Sequence, residues 1–458
     1  VLQILHQSDF IEGNEVEKLE KEIFESAIIE KLNLLEYCLL SLEFEGEKAS
    51  IPLEMTKQEI DDLEQNIQDI DKNLYGGQIK NNEEEVILSY EYIYDIYGKR
   101  KDFLLEDERT RYEKYLSSIA KYLPEGYVFT KKQQTVKMSS PYLNYVLQRD
   151  DYILAFNMLI DAFGSMHHIV KSDINAGSIS DGPEGVYFPM NEKFNTITIE
   201  RFFKLGMHEI ETHSVTDHNS RNILGNLRGS NSTKKDEGTA ILMEQLFLYG
   251  RNLLTNDTEG NLFFDKNKFQ INGYFSKTLM GEVLSNEELM DFLELSEIID
   301  PDIIPPEERF KRLKRNNRSG VQHKDTTYTR GLLQAIDEIN SFISSQGKEG
   351  ISPEDLFIGK VSFEETNKFK KLQELKQPPG KKNNKLKPIF VSDAVYYVIE
   401  KKIAGNESDI NSKKFIEHLQ YKYPLLDFIS EIDPKVYFRK NSRVMGIANV
   451  LLKIISNK

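Results

Sequence analysis

The chain has a single cysteine, Cys38, and no tryptophan among its 458 residues. One thiol excludes an intramolecular disulfide framework and any zinc ribbon built on cysteines. A cysteine nucleophile stays open. However, Cys38 lies in the apolar run 34–40, which predicts a buried thiol that packs rather than reacts. Long hydrophobic runs are missing too. No stretch approaches ~18 uninterrupted apolar residues, so no membrane-spanning helix is expected. Positive charge is scarce: 59 Lys and Arg stand against 74 Asp and Glu, a net of −15. That balance argues against general affinity for nucleic acid or for an anionic membrane, both of which need a basic field. Residues 1–6 lack a basic stretch and a long apolar stretch, which makes a cytoplasmic location the expectation. The chain does not start with Met, so a trimmed start or a removed signal stays open.

What is present is globular in character: 39% hydrophobic and 29% charged residues over a length that suggests about three domains. The first 125 residues read as helical. Ile60, Leu63, Ile67, Ile70 and Leu74 recur at spacings of 3 and 4, and Val16, Leu19, Ile23, Leu32, Leu35, Leu39 and Leu42 form a similar stripe. Each predicts a helix packed on a neighbour. The pair Gly76 and Gly77 ends one helix, and residues 83–97 and 106–123 read as two more. Residues 150–164 read as an apolar helix. Val186, Tyr187 and Phe188 form a short β-prone run whose flanking Pro189 and glycines predict an edge strand. Another short strand is expected at 196–199, and helices at 200–215, 236–249 and 332–343, with loops at 256–262 and 300–307. These readings give a mainly α, α+β architecture. The expected division is a helical region over 1–125, a catalytic domain over 126–375, a Pro/Gly/Lys-rich linker over 376–388 and a helical extension over 389–458.

The chemistry-bearing pattern lies in the middle. Histidine is rare, at eight residues, yet three fall within eleven positions: His208, His213 and His218. His208-Glu209-Ile210-Glu211-Thr212-His213 reads H-E-x-x-x-H. Chance alone would place a His–acid–x–x–x–His in such a composition roughly 0.02 times. In the familiar H-E-x-x-H zinc helix the two imidazoles sit four residues apart, about 40° around an α-helix. At five residues they diverge by about 140°. Both can face one metal only if the helix widens locally, so the motif predicts a π-type bulge between His208 and His213. Two imidazoles leave a tetrahedral zinc short of one protein ligand. Glu237, 24 residues after His213 and followed by the small Gly238, is the candidate third ligand, which completes a His₂Glu set for Zn2+. Glu209, beside His208, is placed to act as general base on metal-activated water. Asp217 and Asp236 are candidates to orient the imidazoles.

The string HEIETH followed by DEGTA resembles the HEIGTH…EEGLA signature of the tyrosine carboxypeptidase family, which includes the microtubule-associated tyrosine carboxypeptidases and bacterial relatives. A second block, Lys324-Asp325-Thr326-Thr327-Tyr328-Thr329-Arg330-Gly331, resembles that family's K-D-x-x-Y-x-x-G, and a basic-then-glycine segment at 315–320 precedes it. Gly359-Lys360-Val361 is similar to a following G-K-[IV]. Together the matches span about residues 185–362. Two positions depart: Glu211 stands where the family usually has Gly, and Thr216 where an Arg is common. Asn219 matches an Asn that follows the motif.

The resemblance implies a zinc metallocarboxypeptidase with a helical metallopeptidase core and a small edge sheet. His208, His213 and Glu237 are implied as zinc ligands and Glu209 as the catalytic glutamate. The substrate would be a peptide or protein C-terminus, plausibly ending in a Tyr-like aromatic residue. Such a mechanism also needs an oxyanion donor, for which Tyr328 is the candidate. It needs a cation for the terminal carboxylate, for which Arg318, Lys324 and Arg330 are candidates near the basic run 311–318. The run 185–189 is a candidate edge for an extended peptide. Two alternatives stay open: a zinc endopeptidase or aminopeptidase, and a helical partner-binding protein with a structural zinc site.

Overall fold

The computed structural model describes residues 14–48, 57–76, 83–97, 101–123, 146–149, 168–172, 180–182, 185–190, 192–225, 227–249, 253–260, 262–270, 273–301, 305–314, 323–345 and 347–376, with positions 153 and 156. The architecture is mainly α with small sheets. In chain order the elements are α1 (Glu15–Lys48), α2 (Lys57–Tyr75), α3 (Glu83–Tyr97), α4 (Glu106–Ala120), β1 (Val146–Gln148), β2 (His168–Ser172), β3 (Ser180–Gly182), β4 (Gly185–Pro189) and β5 (Thr196–Thr198). They continue with α5 (Ile199–Leu205), a π-wound segment (Gly206–Ser214), α6 (Val215–Leu224), α7 (Ser232–Tyr249), β6 (Leu254–Asn256), β7 (Leu262–Phe264), α8 (Gly273–Val283), α9 (Asn286–Ile299), α10 (Pro306–Lys314), α11 (Thr326–Ser344) and α12 (Thr366–Lys376). Among the described residues no helix is long and apolar enough to cross a membrane.

The chain forms two compact units. One gathers Val1–Phe24, Thr135–Lys268 and Gln334–Lys458, the other Glu25–Gln134 and Phe269–Leu333. Helix α1 contributes to both units. Val16, Leu19 and Ile23 at the start of α1 pack on Ile223, Leu224, Ile358, Phe369 and Leu372 in the first unit. Further along α1, Leu34, Tyr37 and Leu40 pack on Leu63, Ile67, Ile70 and Leu74 of α2 in the second. The 3/4 stripe of α2 thus finds the neighbour that its periodicity demanded. Cys38 departs from expectation: it is exposed. Tyr37 occupies the buried face of α1, and one residue on, at 100° around the helix, the side chain points away from it. The linker and extension beyond Lys376 lie outside the described residues, as does all but Ile153 and Phe156 of the apolar helix expected at 150–164.

In the second unit, α3, α4, α8, α9 and α10 share a core of Val86, Ile93, Tyr112, Leu116, Leu279, Leu289, Phe292 and Leu313. Tyr112 stacks on Phe292 at 4.9 Å. Two buried ion-pair clusters tie the start of α11 into this unit. His323 Nδ1 lies 2.7 Å from Asp71 Oδ2, and its Nε2 lies 2.7 Å from Glu282 Oε1. Arg330 Nε donates to Glu85 Oε2 at 2.9 Å, and Nη1 to the carbonyl of Tyr75 at 3.1 Å. Gly76 ends α2 with φ +88°, a conformation that favours glycine, and packs against the Arg330 guanidinium.

In the first unit, β4 is the middle strand of a three-stranded sheet in the order β2-β4-β3, parallel to β2 and antiparallel to β3. The run 185–189 is therefore central, not an edge. Pro189 is tolerated there because it closes the strand, where its missing N–H ends the ladder rather than interrupting it. The strand expected at 196–199 forms as β5 and pairs antiparallel with β1. Residues 254–264, read largely as loop, form the β6–β7 hairpin, turned through Asp257 and the positive-φ Gly260. The side-chain amide of Asn340 on α11 clasps the backbone of Phe264 from both sides, at 2.8 and 2.9 Å.

Candidate metal centre

The helix carrying His208 and His213 is not α-helical where it matters. Gly206–Ser214 is π-wound, flanked by ordinary helix in α5 and α6. Side-chain hydroxyls support the wide turn: Thr212 Oγ1 donates to the carbonyl of Met207 at 2.8 Å, and Ser214 Oγ to that of Glu209 at 3.0 Å, each five residues back. The winding brings the two imidazoles to one side. Their ring centroids stand 4.7 Å apart with planes nearly perpendicular, at 84°. The bulge that the i, i+5 spacing required is present.

The third group arrives from α7, which begins at Ser232 rather than at Asp236, so Glu237 sits inside its second turn. The residues that follow, Gly238, Thr239 and Ala240, are buried. Glu237 Oε2 lies 3.2 Å from His208 Nε2 and 3.4 Å from His213 Nε2. His208, His213 and Glu237 each offer one ligand atom, all within 4.8 Å of one another.

Two observations test whether these residues fit a metal ion. First, Glu237 Oε2 is buried between the two imidazole Nε2 atoms, and among the described residues no hydrogen bond of good geometry reaches it. A buried carboxylate oxygen left in that state is costly unless a cation completes it. Second, the far nitrogens of both rings face carboxylates. His208 Nδ1 is hydrogen-bonded to Glu244 Oε1 at 2.8 Å, and His213 Nδ1 lies 3.0 Å from Asp236 Oδ2. Such partners favour the proton on Nδ1 and leave the Nε2 lone pair for a metal. Both nitrogen donors and a carboxylate oxygen suit zinc.

The electrostatics agree with a cation site. Burial opposes charge on His208, but Glu237, Glu244 and Glu209 outweigh it and hold its pKa well above the usual imidazole value. His213 is likewise raised, to about 10, by Asp236 and Glu237 against its burial. Burial disfavours charge on Glu237 and Asp236 as well, yet the neighbouring cations lower both pKa values. Without a metal, protons supply the positive charge that these carboxylates require, and a dication competes for the same place. Glu209 is 8% exposed, buried beside His208. Glu211, on the same π segment, is completely buried.

The structure thus brings His208, His213 and Glu237 together, with Glu209 near enough for its charge to act on His208. Asp236 faces His213, while Asp217 is engaged by Arg221 at 2.6 Å. Glu244 escaped the sequence reading. Its signal was its place seven residues after Glu237, two turns along the same face of α7. Of the substrate-binding candidates, Arg318 lies outside the described residues. Tyr328 on α11 is half-buried and Lys324, just before that helix, is exposed. Arg330 does not fit the part of a carboxylate clamp, because Glu85 and the Tyr75 carbonyl already occupy its guanidinium within the second unit. Comparison with protein-family models, curated proteins and solved structures found no match to this chain.

Proposed function

We propose that the chain is a zinc-dependent metallopeptidase, and that it acts as a carboxypeptidase on peptide or protein C-termini. The observation that carries this reading is the convergence of His208, His213 and Glu237 on one point, with the buried Glu209 next to His208. Zinc bound there would polarise the scissile carbonyl and acidify water. Glu209 then takes the proton of the attacking water and delivers it to the departing amine. Glu244 and Asp236 keep the two imidazoles turned with Nε2 toward Glu237, where His208, His213 and Glu237 would hold the ion. The exopeptidase preference, the Tyr-like leaving residue and the part of Tyr328 as oxyanion donor rest on the motif resemblance.

The test uses the zinc-loaded chain with peptides that end in a free carboxylate or an amide. The expected result is release of C-terminal residues from the free acids alone, with Glu209→Gln lowering the rate about 10²–10⁴-fold while zinc stays bound. Full activity of Glu209→Gln removes that residue from the mechanism. Equal cleavage of amidated peptides points to an endopeptidase or aminopeptidase. Zinc binding without turnover on any peptide favours a structural metal in a partner-binding protein.

A further inference from the structure

Behind His213 a line of alternating charges leads away from the metal ligands. Asp236 Oδ2 faces His213 Nδ1 at 3.0 Å, and Asp236 Oδ1 accepts from Thr216 Oγ1 at 2.7 Å. Lys360 Nζ stands 3.9 Å from Asp236 Oδ2 and 3.6 Å from Asp217 Oδ1. Asp217 in turn accepts from Arg221 Nε at 2.6 Å. Lys360 is 2% exposed. A lysine is seldom buried so deeply unless its ammonium meets charge, and this one lies between two carboxylates.

The backbone around Lys360 is held with equal care. Its N–H donates to Ser220 Oγ at 3.3 Å, and its carbonyl accepts from the N–H of Gly229 at 2.8 Å. Asn219 Nδ2 donates to the carbonyl of Phe357 at 2.7 Å, and Gln373 Nε2 to that of Ile358 at 3.1 Å. The preceding Gly359 packs so closely that a Cβ would meet Phe369 at 2.9 Å and Ser220 at 3.1 Å. The Gly-Lys pair therefore lets one segment approach α6 closely and carries the Lys360 ammonium into the interior, where the equally buried Lys235 Nζ donates to the Gly359 carbonyl at 3.4 Å.

We infer that Lys360 is a positioning residue of the metal centre: its buried ammonium fixes the Asp236 carboxylate, which fixes His213 for the metal. Lys360 acts on the site through Asp236. The inference rests on the metal-centre reading above. Without the ammonium, Asp217 and Asp236 face each other across the vacated space, and their repulsion moves Asp236 away from its place beside His213.

The experiment measures zinc affinity of the full chain by competition with a chelator, and the absorption spectrum of the Co(II)-substituted chain. Lys360→Met is expected to weaken zinc binding about tenfold and to alter the Co(II) spectrum, at the low end of what partners of metal-bound histidines contribute. In an Asp236→Asn background the same substitution is expected to have no further effect, because the residue through which it acts is already gone. An equal loss in both backgrounds, or wild-type affinity and spectrum in Lys360→Met, overturns the inference. Where Lys360→Met does not fold, Lys360→Met/Asp217→Asn, which removes the cation with one partner charge, is compared with Asp217→Asn under the same two criteria. A wild-type chain that takes up no zinc overturns the metal centre and the inference together. A wild type that binds zinc beside an unaffected Lys360→Met overturns the lysine's part alone.

Discussion

The buried histidine of the second unit offers a sharp test of the physical reading. His323 is clamped between Asp71 on α2 and Glu282 on α8, with both ring nitrogens at 2.7 Å from carboxylate oxygens. Its backbone N–H adds a third bond to Asp71 Oδ2 at 2.9 Å. Burial disfavours the imidazolium, yet the two carboxylates overcome that and raise its pKa to about 9. A raised pKa means that the folded chain binds this proton more tightly than the unfolded chain does. The stabilisation is thus complete below the ordinary imidazole pKa near 6.5 and is lost as pH rises through about 9. The window of about 2.5 pH units corresponds to on the order of 3 kcal/mol. Replacing His323 by Gln leaves two carboxylates facing one another without a cation, which should cost about 3–5 kcal/mol at pH 6.5. The assay is amide hydrogen exchange in peptides covering α2 and α8, which reads the stability of this unit locally. Wild type should lose protection between pH 6.5 and 9.5 beyond the intrinsic rise in exchange rate. His323→Gln should start low and change little over that range. A constant difference between the two proteins across the range, or equal protection at pH 6.5, would refute the reasoning.

Two further outcomes are expected at the candidate metal centre. Glu244→Gln exchanges the carboxylate facing His208 Nδ1 for a neutral amide and should weaken zinc binding about 10–100-fold with the helices intact, read by chelator competition and circular dichroism. Adding zinc to about 100 times its dissociation constant should stabilise the unit that holds the site by about 2.7 kcal/mol. Calorimetry should record that as a rise in Tm of roughly 5–10 °C, abolished by chelator and by Glu237→Ala. An unchanged transition on zinc addition counts against a metal held by His208, His213 and Glu237.

Local spacing alone made much of this chain legible. The 3/4 periodicity of Leu63, Ile67, Ile70 and Leu74 sets the face of α2 whatever it packs against, because helical geometry repeats every few residues. The H-E-x-x-x-H spacing demanded a wider turn if both imidazoles were to serve one ion, and the turn is there. What spacing does not encode is which distant groups meet. That Val186, Tyr187 and Phe188 form a strand is local, but their central place depends on where β2 and β3 lie. The exposure of Cys38 follows from which side of α1 met a neighbour.

The same limit governs the candidate site. The sequence by itself determined the helices, the wide turn and the three candidate ligand positions, since each follows from residue type and separation along one stretch of chain. Only the tertiary structure decided that Glu244, Asp236 and Lys360 stand behind the candidate ligands and that Arg330 is bound to Glu85. Charge interactions depend on distance through space, and burial strengthens them. Neither quantity exists until segments such as those of Glu85 and Arg330, 245 positions apart, are folded against one another.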